Sequence, residues 1–135
     1  MRLSPLQRFV VHNECQGDDI KVLAVCSVGI LRSPTIAHCL QVNHGMNARS
    51  VGLDPDALIP ITPLLVFWSD LIVFADQTHR MEFQTKFKKY HGEVFTLSIP
   101  DIYNRMEPEL IELINNKINS EEFDEIIRRI KNGGN

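Results

Sequence analysis

The chain has few means of covalent stapling. Its 135 residues carry three cysteines, Cys15, Cys26 and Cys39, an odd count in a chain long enough to bury roughly two-thirds of its unfolded surface. A disulfide framework is therefore not expected, and a reduced, cytoplasmic setting is. Seven glycines and seven prolines are too few for a collagen-like or low-complexity chain. Excess positive charge is missing too: the formal net charge is −3, which argues against a bulk electrostatic hold on nucleic acid or an anionic membrane. No run approaches the roughly 18 apolar residues of a membrane span. The first sixteen residues, MRLSPLQRFVVHNECQ, have neither the long apolar core nor the small-residue cleavage site of a secretory signal. The five histidines, His12, His38, His44, His79 and His91, show no metal-ligand spacing.

What is present is an alternation of apolar strands and helices. Ser4-Pro5-Leu6-Gln7 reads as a capping box for a short N-terminal helix carrying Leu6, Phe9 and Val10. Ile20 to Cys26 is a β-branched apolar run expected as a buried strand. Ser27 to Ser33 is a loop, followed by a helix with Pro34 in its first turn, Ile36, Ala37 and Leu40 inward, and an end near His44-Gly45. Further strands are expected at 47–51, 70–75 and 93–98. Helices are expected from Thr62-Pro63 through Phe67, from Gln77 to Tyr90, from Pro108, and over the last stretch from Ser120. There Phe123, Ile126, Ile127 and Ile130 share one face and Gly133 stops the helix. The pattern predicts an α/β, three-layer sandwich: one four-stranded parallel sheet with helices on both faces, a Rossmann-like arrangement. The whole chain, 1–135, is expected as a single domain with residues 1–20 as a helical extension.

Ligands of such sheets bind where loops leave the carboxyl ends of strands, so the loops after Cys26, Val51, Ala75 and Ser98 are the ones to inspect. The first is the most informative. Five residues separate Cys26 from Arg32 in Cys26-Ser27-Val28-Gly29-Ile30-Leu31-Arg32-Ser33. A strand-to-helix loop this short can turn its N–H groups toward one point and make an anion nest, to which the helix N-terminus adds donors and positive dipole. Arg32 adds a planar fork matched to two phosphate oxygens. That potential favours the thiolate of Cys26, the reactive form, and Ser33 can donate to the sulfur. Attack on phosphorus needs a proton donor for the leaving oxygen. Asp101, after the fourth strand, is suitably placed, with Tyr103 two residues on to stack against a flat substrate. Cys39 and Ser50 read as structural, and Asp76 as a helix cap.

These residues resemble a known family. Val25 to Ala37 (VCSVGILRSPTIA) is similar to the Cys-x5-Arg-Ser-Pro phosphate loop of the low-molecular-weight protein tyrosine phosphatases. Ala48 to Gly52 resembles that family's second strand and turn, Asp70 to Asp76 its third strand, and Pro100-Asp101-Ile102-Tyr103 its late Asp-Pro-Tyr loop. The resemblance is colinear from about Val22 to the last helix. It implies the family fold and hydrolysis of phosphotyrosine, or of a small aryl phosphate, through a phosphocysteine on Cys26, with no metal or cofactor and with a monomer as the working unit. By the same resemblance Arg32 and the loop residues Ser27, Val28, Gly29, Ile30 and Leu31 bind the phosphoryl group, and Ser33 steadies the thiolate. Asp101 is the acid and then the base, and Ser27, Ile30 and Tyr103 line the ring. The chain departs from the family at Val28-Gly29, where an asparagine that braces the loop toward the serine matching Ser50 is missing. It departs again at Leu31, where many members carry a second cysteine that protects the nucleophile as a disulfide. Three other functions use related chemistry: thiol-dependent arsenate reduction, disfavoured because no cysteine follows Cys39; a cysteine phosphocarrier of the sugar phosphotransferase kind, disfavoured by Arg32-Ser33-Pro34; and a phosphotyrosine- or phosphate-binding module without turnover.

Overall fold

Four apolar runs in one chain have to hide both faces of every strand, and a parallel sheet between two helical layers does so. The computed structural model describes residues 20–27 and 32–133. The elements are β1 (Lys21–Cys26), α1 (Arg32–His44), β2 (Asn47–Gly52), α2 (Pro63–Trp68), β3 (Leu71–Phe74), α3 (Gln77–Lys86), β4 (Glu93–Thr96), α4 (Pro108–Ile118) and α5 (Glu121–Gly133). The sheet runs β2-β1-β3-β4 with every pair parallel. The expected α/β sandwich is the observed one. The N-terminal helix with Leu6, Phe9 and Val10 lies outside the described residues.

Strand alternation sorts the core into two layers. Val22, Ala24 and Cys26 of β1 pack with Ile36, Ala37 and Leu40 of α1, Leu110, Ile114 and Ile118 of α4, and Phe123 and Ile126 of α5. Leu23 and Val25 point the other way, into Val51, Val66, Ile72, Phe74 and Phe83, under α2 and α3. The sulfur of Cys26 therefore belongs to the α1 side. Register aligns the strand exits: Cys26 pairs with Gly52, Val25 with Phe74, and Phe74 with Thr96. All four exit loops thus leave from one edge.

Local signals set the helix limits. Gly45 (φ 61°) ends α1, and its N–H and that of Met46 fold back onto Gln41 and Leu40 carbonyls. Thr62 and Asp76 cap α2 and α3 through their side-chain oxygens. Helix α1 starts two residues before Pro34, so Arg32 and Ser33 sit in its first turn rather than in the loop. Helix α3 stops at Lys86, four residues short of Tyr90: Phe87 leaves helical geometry at ψ 65°, and its ring still packs on Phe83 at 5.1 Å. The apolar spacing continued past the point where the backbone turned. Among the described residues no helix is long and apolar enough to cross a membrane.

Candidate active site

β1 delivers Cys26 to the sheet edge with 3% of its surface exposed. Its Sγ lies 3.1 Å from Ser33 Oγ, in the first turn of α1. Ser33 Oγ lies in turn 2.8 Å from Ser50 Oγ on β2 and 3.4 Å from the Val51 carbonyl. The chain Cys26–Ser33–Ser50 is fully buried. A hydroxyl has a single proton. With a neutral thiol, Cys26 donates to Ser33, which donates onward to Ser50 or Val51. With a thiolate, Ser33 turns its proton to the sulfur and Ser50 donates to Ser33. The chain can thus stabilise either state of the sulfur by reorienting hydroxyls, with no heavy atom moving. Ser50, read from sequence as structural, is the support of this chain.

Arg32 is 8% exposed, and its fork is aimed from the far side. One Nη donates to the Ile99 carbonyl at 3.0 Å, and Nε stands 3.5 Å from Asp101 Oδ1. Ile99 can serve because the chain past β4 stays paired with the β3 exit: Leu97 N–H donates to Phe74 O at 2.9 Å and Ile99 N–H to Ala75 O at 2.7 Å. Between them Ser98 adopts φ 56°, a left-handed conformation uncommon for a non-glycine residue, which turns the following residues over the site. The far end of this loop is tied to α1 by Met106 N–H donating to Thr35 Oγ1 at 2.9 Å. Asp101 itself is exposed, at 66% of its side chain.

Of the residues singled out from sequence, the fold brings Cys26, Ser33, Arg32 and Asp101 to one place. Tyr103 is half-buried and packs against the α1-side core, so core packing accounts for at least part of its ring. Val28, Gly29, Ile30 and Leu31 lie outside the described residues. Cys39 is buried, and burial pushes its thiol up to about 11, consistent with a core role. No group of three or more His, Cys, Asp or Glu side chains is placed to hold a metal among the described residues.

The structure adds a residue that the sequence reading passed over. Ser27, exposed and next to Cys26, places its Oγ 3.1 Å from Nε2 of His79, in the first turn of α3. His79 is 5% exposed, and its Nδ1 has no partner among the described residues. Burial, then the Arg32 charge, holds this imidazole below the usual histidine value. The signal was available: the loop after Ala75 leaves the same edge, and His79 follows the Asp76 cap by three residues.

No sequence-family model matches the chain, and no curated protein sequence does either. Solved structures do. A low-molecular-weight protein tyrosine phosphatase from Bacillus subtilis aligns at 20% identity over 76% of this chain and 99% of its own, with a TM-score of 0.58. The fold is that of the low-molecular-weight tyrosine phosphatases. The tyrosine phosphatase Wzb from Escherichia coli K30, solved with phosphate, aligns at 18% identity over 73% of this chain and 93% of its own (TM-score 0.60). The YwlE arginine phosphatase from Geobacillus stearothermophilus aligns at 18% over 82% and 90% (TM-score 0.52). The low-molecular-weight phosphatase fold is thus shared with proteins named for two different phosphorylated side chains.

Proposed function

We propose that this chain is a cysteine-dependent phosphatase that hydrolyses aryl phosphate monoesters such as phosphotyrosine. The observation that carries this is the joining of two loops at one sheet edge: Ser33 bonds the Cys26 sulfur, while its neighbour Arg32 reaches Asp101 from the β4 exit. The Cys26 thiolate attacks phosphorus, the bond from phosphorus to the aryl oxygen breaks, and protonated Asp101 gives that oxygen its proton. Water then attacks the phosphocysteine, the Asp101 carboxylate takes its proton, and phosphate leaves as the sulfur recovers its electron pair. Arg32 pairs with the phosphoryl oxygens throughout. Asp101 Oδ1 stands 3.5 Å from Arg32 Nε, so its carboxylate and the phosphoryl oxygens compete for the same guanidinium.

The test is hydrolysis of p-nitrophenyl phosphate, of a phosphotyrosine peptide and of a phosphoarginine peptide by the full chain, beside Cys26→Ser and Arg32→Ala. We expect turnover of both aryl esters, abolished by the first substitution and strongly reduced by the second. Faster turnover of phosphoarginine would change the substrate class and keep the nucleophile. Binding of the phosphotyrosine peptide without turnover would overturn the enzymatic reading.

A further inference from the structure

Ser27, at the exit of β1, and His79, in the first turn of α3, meet beside the nucleophile on the side away from Ser33 and Ser50. Cys26 is thereby flanked by two polar supports, one under α1 and one under α3. The Ser33–Ser50 support carries no titratable group, and the Ser27–His79 support does. Building on the phosphatase reading, we propose that His79 is a positioning residue of the phosphoryl site: its neutral imidazole holds the Ser27 hydroxyl and so fixes the backbone immediately after Cys26.

The geometry gives the reason. The Ser27 carbonyl accepts from the Asp54 N–H at 2.8 Å, on the β2 side. The bond from its Oγ to His79, at 3.1 Å, ties it to the β3 side as well. A residue held from both neighbouring strands has little freedom to displace the sulfur that precedes it, and small displacements at a reacting atom cost rate steeply. The charges facing the imidazole come from Arg32 on α1, Asp101 on the β4–α4 loop, Asp76 at the cap of α3 and Glu82 on α3 itself. Arg32 opposes protonation and the three carboxylates favour it. Burial together with Arg32 prevails, and the neutral ring is favoured. Protonation puts a second cation against Arg32 in a buried seat, and the imidazole leaves that seat and releases Ser27.

The test compares wild type with Ser27→Ala, His79→Leu, the double variant and His79→Gln, whose side-chain amide reaches Ser27 without titrating. The substrate is p-nitrophenyl phosphate, from about pH 5 to about pH 8, and the same proteins are titrated with inorganic phosphate. At the upper end, Ser27→Ala and His79→Leu should each lower kcat/KM about three- to tenfold, and the double variant no further. His79→Gln should recover most of the His79→Leu loss, and the advantage of wild type over His79→Leu should shrink as pH falls. Losses that multiply in the double variant, or a His79→Gln variant no better than His79→Leu, overturn the positioning role. If wild type binds phosphate without turnover, yet the variants weaken that binding in the same non-additive, pH-dependent way, the positioning role stands and the phosphatase reading falls.

Discussion

The two loops that build the site differ in how firmly they are held. On the β1 side Cys26, Ser33, Arg32 and Ser50 are all buried; Cys26, Ser33 and Ser50 bond one another across β1, α1 and β2, and Arg32 donates to the Ile99 carbonyl. On the β4 side Asp101 is exposed and meets Arg32 at 3.5 Å. The same sheet edge thus carries a fixed half and a movable half. This division suits two-step phosphoryl transfer. The group that attacks has to be aligned beforehand, whereas the group that handles protons has to serve a leaving group in one step and a water in the next.

The largest effect is expected where the movable half acts alone. Asp101→Asn should lower turnover of a phenyl ester with a high-pKa leaving group by about 10²- to 10⁴-fold. It should cost an activated ester far less, and inorganic phosphate should bind more tightly because the competing carboxylate is gone. Equal losses on both esters would place the acid elsewhere. Next, Ser50→Ala probes the fixed half. It removes a buried partner of Ser33, and we expect a drop in turnover of about tenfold on both esters alike, with about 1–3 kcal/mol of stability lost in urea denaturation. A loss that depended on the leaving group would erase the distinction between the halves.

A smaller effect concerns the fixed half and pH. Burial lowers the His79 pKa in the folded chain from the usual 6.5, so the unfolded chain binds the proton first as pH falls. Stability should be full above about pH 6.5 and decline as pH drops through that value toward the folded-state pKa. In His79→Gln this decline should be reduced in denaturant midpoints measured across the range. The smallest effect is at Cys39. Its thiol, pushed up to about 11 by burial, should resist alkylation in the folded chain at pH values where an unfolded chain is labelled. Rapid native-state labelling, read by peptide mass mapping, would contradict its place in the core.

Much of this molecule can be read without coordinates, and the limits of that reading are physical. The β-branched run ending at Cys26 and the Arg32-Ser33-Pro34 that follows lie within a single strand–loop–helix unit, where spacing alone constrains geometry. Asp101 was reachable because the exits of a parallel sheet share an edge. The Ile99 carbonyl that orients Arg32 was not, because a backbone acceptor leaves no mark in side-chain identity. The Ser50–Ser33 and His79–Ser27 contacts were hidden for a related reason: each is made across a neighbouring strand, and serine and histidine are equally at home in a core, so Ser50 read as structural and His79 only as a histidine outside any metal-ligand spacing. The end of α3 was misplaced because Phe87 continues the apolar spacing of Phe83 beyond the last helical residue, with no glycine or proline to mark the turn.

The central claim is that the buried Cys26 sulfur becomes covalently bonded to phosphorus. Mass spectrometry of the full chain, acid-quenched during turnover of p-nitrophenyl phosphate and mapped by peptide, tests it directly. The account predicts a phosphoryl group on Cys26, enriched in Asp101→Asn when breakdown of the intermediate is slowed. Turnover that persists in Cys26→Ser, or a phosphoryl group trapped on any other residue, would contradict it.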